Sequence, residues 1–257
     1  ALASLPRDSL TVSTKVGRLL VPDGTAGADE TIFADVPAVH PVFDFSADGV
    51  HRSFEASLER LGLDRVDIVH VHDPDDHIEE ALAGAFPALR RLRDEGVVGA
   101  IGAGMNQAAA LARFVREAGL DCVLVAGRYT LLDQSAIDDL LPLCEQQGVS
   151  VIAAGVFNSG LLANPSPGAH YDYAPAPSAI LDRARQLATL CERHDVPLTA
   201  AALQFAAAHP AVTHVLTGVR SVRELHSNVA DFERPIPLEL WAELRTEGLL
   251  DDRSPTP

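Results

Sequence analysis

Short apolar runs alternate with longer amphipathic stretches along most of the chain. Six runs have strand length and are rich in β-branched residues: Leu10–Val16 (LTVSTKV), Val66–Pro74 (VDIVHVHDP), Val98–Ala103 (VGAIGA), Cys122–Gly127 (CVLVAG), Ser150–Val156 (SVIAAGV) and His214–Val219 (HVLTGV). Between them the apolar period lengthens toward that of a helix. Helices are predicted over Val50–Leu61, Ile78–Asp94, Gln107–Glu117, Ser135–Gln147, Ile180–His194, Ala200–His209, Ser221–Asp231 and Leu238–Glu247. In the first of these Val50, Phe54, Leu58 and Leu61 share one face, and Gly62 supplies a stop. Ala1–Leu5 reads as the end of a further helix. Leu20–Asp48 has no period and several Gly, Pro and acidic residues, so it is predicted to be a long loop, functional or mobile.

Strands that alternate regularly with helices imply a parallel sheet with helices packed on it. Two architectures satisfy that pattern, an open doubly wound sheet and a (β/α) barrel. The open dinucleotide-binding sheet is disfavoured, because Gly99, Gly102 and Gly104 match its glycine fingerprint poorly in spacing and place. A barrel requires eight strands. With six, the expectation is a single α/β domain over residues 1–257, a (β/α)8 TIM barrel lacking its first two βα units.

Composition narrows the partners. Asp and Glu number 36 against 20 Lys and Arg, a formal charge of −16 that disfavours nucleic acid and anionic membrane surfaces. No apolar run reaches transmembrane length, and the amino end does not read as a signal peptide. Cys122, Cys144 and Cys191 are scattered without metal-ligand spacing; they read as buried free thiols in a reducing, cytoplasmic setting, with no metal expected.

Chemistry gathers at the polar end of Val66–Pro74. Alternation with period two places His70 and His72 on one face of that strand, with His72 nearer the carboxyl end, where barrels and open sheets hold their sites. A histidine there is often only structural. Asp73 reads equally as a hydrogen-bonding wall residue or a solvated loop residue. Lys15, at the end of its own strand, reads alone as a surface lysine with a buried stem.

Several segments together resemble the aldo-keto reductase superfamily, and within it the branch of L-fucose and D-threo-aldose dehydrogenases. Ser13-Thr14-Lys15 is similar to the family strand that ends in lysine, and Asp67–Pro74 to its D-x-x-x-x-H-x-P strand. Leu89–Asn106, Arg128–Leu132 (RYTLL), Ala153–Leu162 and Thr217–Asn228 resemble, in order, its next four signature segments. The resemblance implies a barrel that binds NAD or NADP and interconverts a carbonyl and an alcohol, on an aldose or another small polar aldehyde. Lys15 and His72 map onto two members of its catalytic tetrad. Lys15 would lower the pKa of a phenol, and His72 would orient the substrate oxygen, in preference to His70. The tetrad's Asp and Tyr belong to a segment before Ser13, and the tyrosines here are Tyr129, Tyr171 and Tyr173. These 257 residues alone are therefore expected to be inactive or nearly so.

The same resemblance assigns the cofactor to Asn106, Val156, Asn158, Gly160, Gly218, Arg220, Ser221, Glu224 and Asn228, and the substrate to Asp73 and Tyr129. Asn106 would bond the nicotinamide carboxamide, although asparagine also suits a helix N-cap. Ala126 replaces a family glutamine, so amide recognition rests on fewer groups. Gly218 and Glu224 stand where NADP-preferring members carry basic residues. A glutamate repels a phosphate and accepts from a ribose hydroxyl, which favours NAD, with Arg220 or Arg223 still within reach of a phosphate. The acidic loop Pro22–Asp48 and the loop Asn164–Pro177, with Tyr171 and Tyr173, would wall the substrate pocket. Two other classes remain: a barrel lyase forming a Schiff base on Lys15, and a non-catalytic barrel that binds nucleotide or a partner protein. Oligomeric state is not legible.

Overall fold

A computed structural model describes residues 5–22 and 39–257. The helix end expected at Ala1–Leu5, except Leu5, and the middle of the loop expected at Leu20–Asp48 lie outside these residues. The chain falls into two compact units, Ala1–Met105 with Arg113–Val123, and Asn106–Ala112 with Leu124–Pro257.

The strands are β1 (Ser13–Val16), β2 (Arg18–Pro22), β3 (Val39–Phe43), β4 (Ile68–His72), β5 (Ala100–Met105), β6 (Cys122–Ala126), β7 (Ser150–Ala154), β8 (His170–Tyr171), β9 (Ala174–Pro175) and β10 (Val212–Leu216). The helices are α1 (Ala47–Leu61), α2 (Ile78–Glu80), α3 (Phe86–Asp94), α4 (Ala108–Ala118), α5 (Leu140–Gln147), α6 (Ser178–Arg193), α7 (Leu198–Ala207), α8 (Val222–Glu233) and α9 (Leu238–Thr246).

All six strands expected from periodicity form. In the first unit the sheet order is β1-β4-β5, and in the second β6, β7 and β10 follow in order. The pairs β1·β4, β4·β5 and β7·β10 are parallel.

In the first unit, Val69 and Val71 of β4 are fully buried, as alternation requires of the face turned away from the histidines. The Asp67 carboxylate anchors the start of β4 by accepting the Val12 N–H at 2.6 Å and an Arg7 bond at 2.8 Å. Helix α1 begins three residues before the apolar pattern does. The Ser46 hydroxyl caps it, accepting the Gly49 N–H at 3.0 Å, and Gly62 ends it in the left-handed conformation. The helix expected over Ile78–Asp94 is interrupted by a π turn at Ala81–Ala85, where Phe86 N–H bonds Ala81 O five residues back. Pro87, which has no N–H and whose ring crowds the preceding turn, accounts for the wider turn.

Gly102 of β5 is paired with His70. A Cβ on Gly102 would lie 2.6 Å from His70 Nδ1 and 2.5 Å from the Cys122 carbonyl oxygen, so glycine clears the space that the imidazole fills. Leu20–Asp48 is not wholly irregular: β2 and β3 form an antiparallel ribbon, with Arg18 opposite Phe43.

In the second unit, Ala153 and Val156 pack on Leu203 and Ala206 of α7, which ties β7 and the turn after it to the helix layer. The segment Asn164–Pro177 holds a second small ribbon, β8 with β9. Arg128 pins it through a two-pronged pair with Asp172, at 2.7 and 3.1 Å.

Candidate active site

Parallel pairing of β1 with β4 sets Lys15 directly beside His70. Paired residues in neighbouring parallel strands share a face, and His72 lies two residues farther along it. Lys15, His70 and His72 therefore project to one side of the first unit's sheet. Lys15 is half-buried, His70 is fully buried, and about a third of the His72 side chain is exposed. The exposure gradient selects His72 as the histidine that can meet a ligand.

Burial and charge determine the state of both rings. Burial first, then the nearby cations Arg18 and Lys15, push the His72 pKa down to about 3. Burial, then the charge of Lys15, lowers His70 to about 4. His72 is consequently a neutral imidazole at physiological pH, able to donate one hydrogen bond but poorly suited to accept a proton.

Asp73 completes the end of β4. Its N–H donates to Gly104 O at 3.0 Å, and its φ of 43° is left-handed. One carboxylate oxygen lies 3.5 Å from His72 Nε2 and is ion-paired with Arg18. Burial raises the Asp73 pKa while Arg18 opposes that shift. The Arg18 guanidinium lies 5.0 Å from the Phe43 ring centre, and Phe43, Phe45 and His77 form an aromatic cluster with centroids 5.3 to 5.9 Å apart.

Arg18, Phe43, Phe45 and His77 were not legible as site residues. Arg18 follows Lys15 by three positions, but only the turn at Gly17, with φ 98°, brings it back toward the end of β4. His77 joins the wall through Phe43 and Phe45.

The residues expected at the cofactor lie in the second unit. Asn106 is half-buried between β5 and α4. Val156 is core, 1% exposed as a whole residue. Asn158 and Ser159 are left-handed with φ of 46° and 56°, and Gly160 follows at 87°. The Asn158 N–H donates to Gly155 O at 2.8 Å, so Ser159 and Gly160 are the residues whose N–H groups such a turn can offer an anion. Asn158 is buried; its Nδ2 donates to Gly127 O at 3.4 Å, and its Oδ1 has no partner among the described residues.

Farther along, the Ser221 hydroxyl caps α8 by accepting the Glu224 N–H at 3.2 Å. Glu224 accepts the Arg220 N–H at 2.7 Å and a guanidinium bond at 3.0 Å, and these bonds lower its pKa. Asn228 donates to Thr217 Oγ1 at 3.3 Å, closing the turn. Gly218 is exposed within it.

Tyr129, expected at the substrate, is placed in the core instead. It is 1% exposed, stacks on Phe205 with ring centroids 5.0 Å apart, and meets His209 edge-on. Its apolar ring contributes more when buried than it would at a wet pocket rim. Tyr173 is exposed, and the Tyr171 hydroxyl donates to Asp133 at 3.4 Å.

The Aldo/keto reductase family model matches residues 1–246. The chain belongs to the aldo/keto reductase family. It is 44% identical over 263 residues to D-threo-aldose 1-dehydrogenase of a Pseudomonas species, covering all of this chain and 79% of that protein. It is 41% identical to pyridoxal 4-dehydrogenase of Microbacterium luteolum, covering 93% of this chain and 76% of that one. Among solved structures, the holo form of an aldo-keto reductase from Bacillus halodurans superposes with a TM-score of 0.72 at 24% identity, covering 96% of this chain and 75% of that one. The fold class is thus the α/β barrel of this family, and the chain is an NAD(P)-dependent oxidoreductase acting between carbonyl and alcohol.

The residues present suit a dinucleotide. The orphaned Asn158 Oδ1 is a buried acceptor awaiting a donor, the left-handed run at residues 158–160 suits a diphosphate, and the start of α8 offers a capped helix terminus.

One consequence of the buried histidines is a pH-dependent stability. The folded pKa of His70 is depressed, so the unfolded chain binds the extra proton. The stabilisation is complete above about pH 6.5 and is lost as pH falls toward 4. Between pH 7.5 and pH 5 this residue should account for about 2 kcal/mol of lost stability. Denaturant unfolding of the native protein and His70→Leu at both pH values should show a smaller loss in the variant; equal losses would show that His70 is not held neutral.

Proposed function

We propose that the protein oxidises an aldose, or reduces the corresponding small polar aldehyde, at the carboxyl end of β4, with residues 1–257 forming a single, partial barrel domain. The observation that carries this reading is the alignment of Lys15 and His72 on one face of paired strands, with a polar Asp73 beside them. The name D-threo-aldose 1-dehydrogenase on a relative 44% identical over the whole chain supports the sugar. A second reading is a hydroxylated aromatic substrate, favoured by the Phe43, Phe45 and His77 cluster and by the pyridoxal 4-dehydrogenase relative.

His72 donates from its neutral ring to the reacting oxygen and fixes where that oxygen sits. With a pKa near 3 it does not serve as the base. Lys15 supplies a fixed positive charge that favours negative charge developing on the oxygen or on a neighbouring acid. The first unit contains no tyrosine, so a phenol acting with Lys15 is not supplied by that unit. When bound, NAD(P) provides or accepts the hydride. Asn106, Asn158 and Gly160 would hold its nicotinamide and diphosphate; Gly218, Arg220, Ser221, Glu224 and Asn228 would hold its adenosine.

We read NAD as the preferred form, because Arg220 is already engaged by Glu224 and the pair leaves a carboxylate where a 2′-phosphate would stand. Three free cysteines, all buried, accord with a reducing cytoplasmic setting. No helix among the described residues is long and apolar enough to cross a membrane.

In the complete protein His72→Ala should lower kcat about 100-fold, with His72→Gln less impaired, while the dinucleotide Kd stays within about twofold. Unchanged turnover would reject His72 as the residue that holds the oxygen. Comparison of kcat/KM should favour NAD over NADP by at least about tenfold, and Glu224→Gln should narrow the ratio. A native preference for NADP would refute the adenosine reading.

A further inference from the structure

The Arg18–Asp73 pair is more than a surface ion pair. Asp73 directly follows His72 and holds a left-handed φ of 43°, which is costly for a residue with a Cβ. Its backbone is fixed by the bond to Gly104 O, and its carboxylate is half-buried, so its charge requires a partner. Arg18 is that partner. Arg18 is itself held by the Gly17 turn and by the Phe43 ring, 5.0 Å away. The outcome is a carboxylate oxygen fixed 3.5 Å from His72 Nε2, beside a side chain that is one-third exposed.

We propose that Arg18 is a specificity-determining residue: it locks the Asp73 carboxylate beside His72 so that it accepts a hydrogen bond from a hydroxyl on the carbon next to the substrate carbonyl. The inference rests on the carbonyl-site reading above and adds to it the feature that the site selects. Two oxygens on neighbouring carbons lie about one hydrogen-bond length apart. An oxygen held by His72 Nε2 therefore leaves its neighbour within reach of the Asp73 oxygen. A substrate lacking that hydroxyl leaves a half-buried carboxylate with its acceptor sites unfilled, a penalty that discriminates more strongly than loss of an apolar contact. Without Arg18 the carboxylate loses both its counter-charge and its anchor, and the discrimination goes with them.

A matched pair of aldehydes that differ only in the α-hydroxyl, lactaldehyde and propanal, tests this with reduced dinucleotide in the complete protein, including the segment that carries the family's tyrosine. The native enzyme should favour lactaldehyde by at least about tenfold in kcat/KM. Arg18→Met and Asp73→Asn should each bring that ratio below about threefold, the loss falling mainly on KM for lactaldehyde. The double variant should lose no more discrimination than either single one, because both act through one carboxylate. Arg18→Lys, which keeps the cation, should recover part of the ratio. Turnover of both aldehydes with a ratio unchanged in the variants overturns the role of Arg18. Failure of the complete protein to turn over either aldehyde while it binds the dinucleotide overturns the carbonyl-site reading, and this inference with it.

Discussion

Parallel pairing of β1 with β4 is the constraint on which the first unit's chemistry depends. The register sets Lys15 against His70 and Val16 against Val71. A slip of one residue would turn Lys15 to the opposite face of the sheet and into the apolar layer that holds Val69 and Val71. The register is secured away from the chemistry: the Asp67 carboxylate ties the start of β4 to Val12 and Arg7. On the other side of β4, Gly102 of β5 leaves the room that His70 needs, and Gly104 O receives the Asp73 N–H.

From that register follows an electrostatic arrangement in which two cations surround a histidine that stays uncharged. Lys15 and Arg18 disfavour protonation of His72, and burial does so more strongly. A neutral imidazole is a fixed hydrogen-bond donor whose state does not change across physiological pH. Arg18 has a second partner in Asp73, so the same guanidinium that keeps the imidazole neutral also holds a carboxylate next to it. The site thus presents a donor, an acceptor and a cation in one small region, a set suited to a hydroxylated carbonyl compound.

Much of this was legible in the chain itself. The six sheet strands and most of the helices follow from apolar period, because burial of one face sets both. The order of family motifs from Ser13 to Asn228 pointed to Lys15 and His72. Other features escaped because they depend on contacts rather than on pattern. The start of α1 is set by the Ser46 cap, not by an apolar residue. The β2 and β3 ribbon is mostly exposed and contains Pro22 and Pro41, so it shows no alternation. Arg18 and Asp73 are far apart in sequence, and nothing local to either marks the pair. Tyr129 was misread because a motif names a residue without saying which way it points; its ring is packed against Phe205.

The proposed chemistry requires a His72 that is neutral and ligand-facing, and its ring nitrogens report that state directly. Nitrogen chemical shifts of the His72 imidazole, followed by NMR from pH 8 to pH 5 in the native protein, should remain those of a neutral ring throughout. A titration with a midpoint near 6.5 would show an ordinary solvated histidine and would contradict the proposed role.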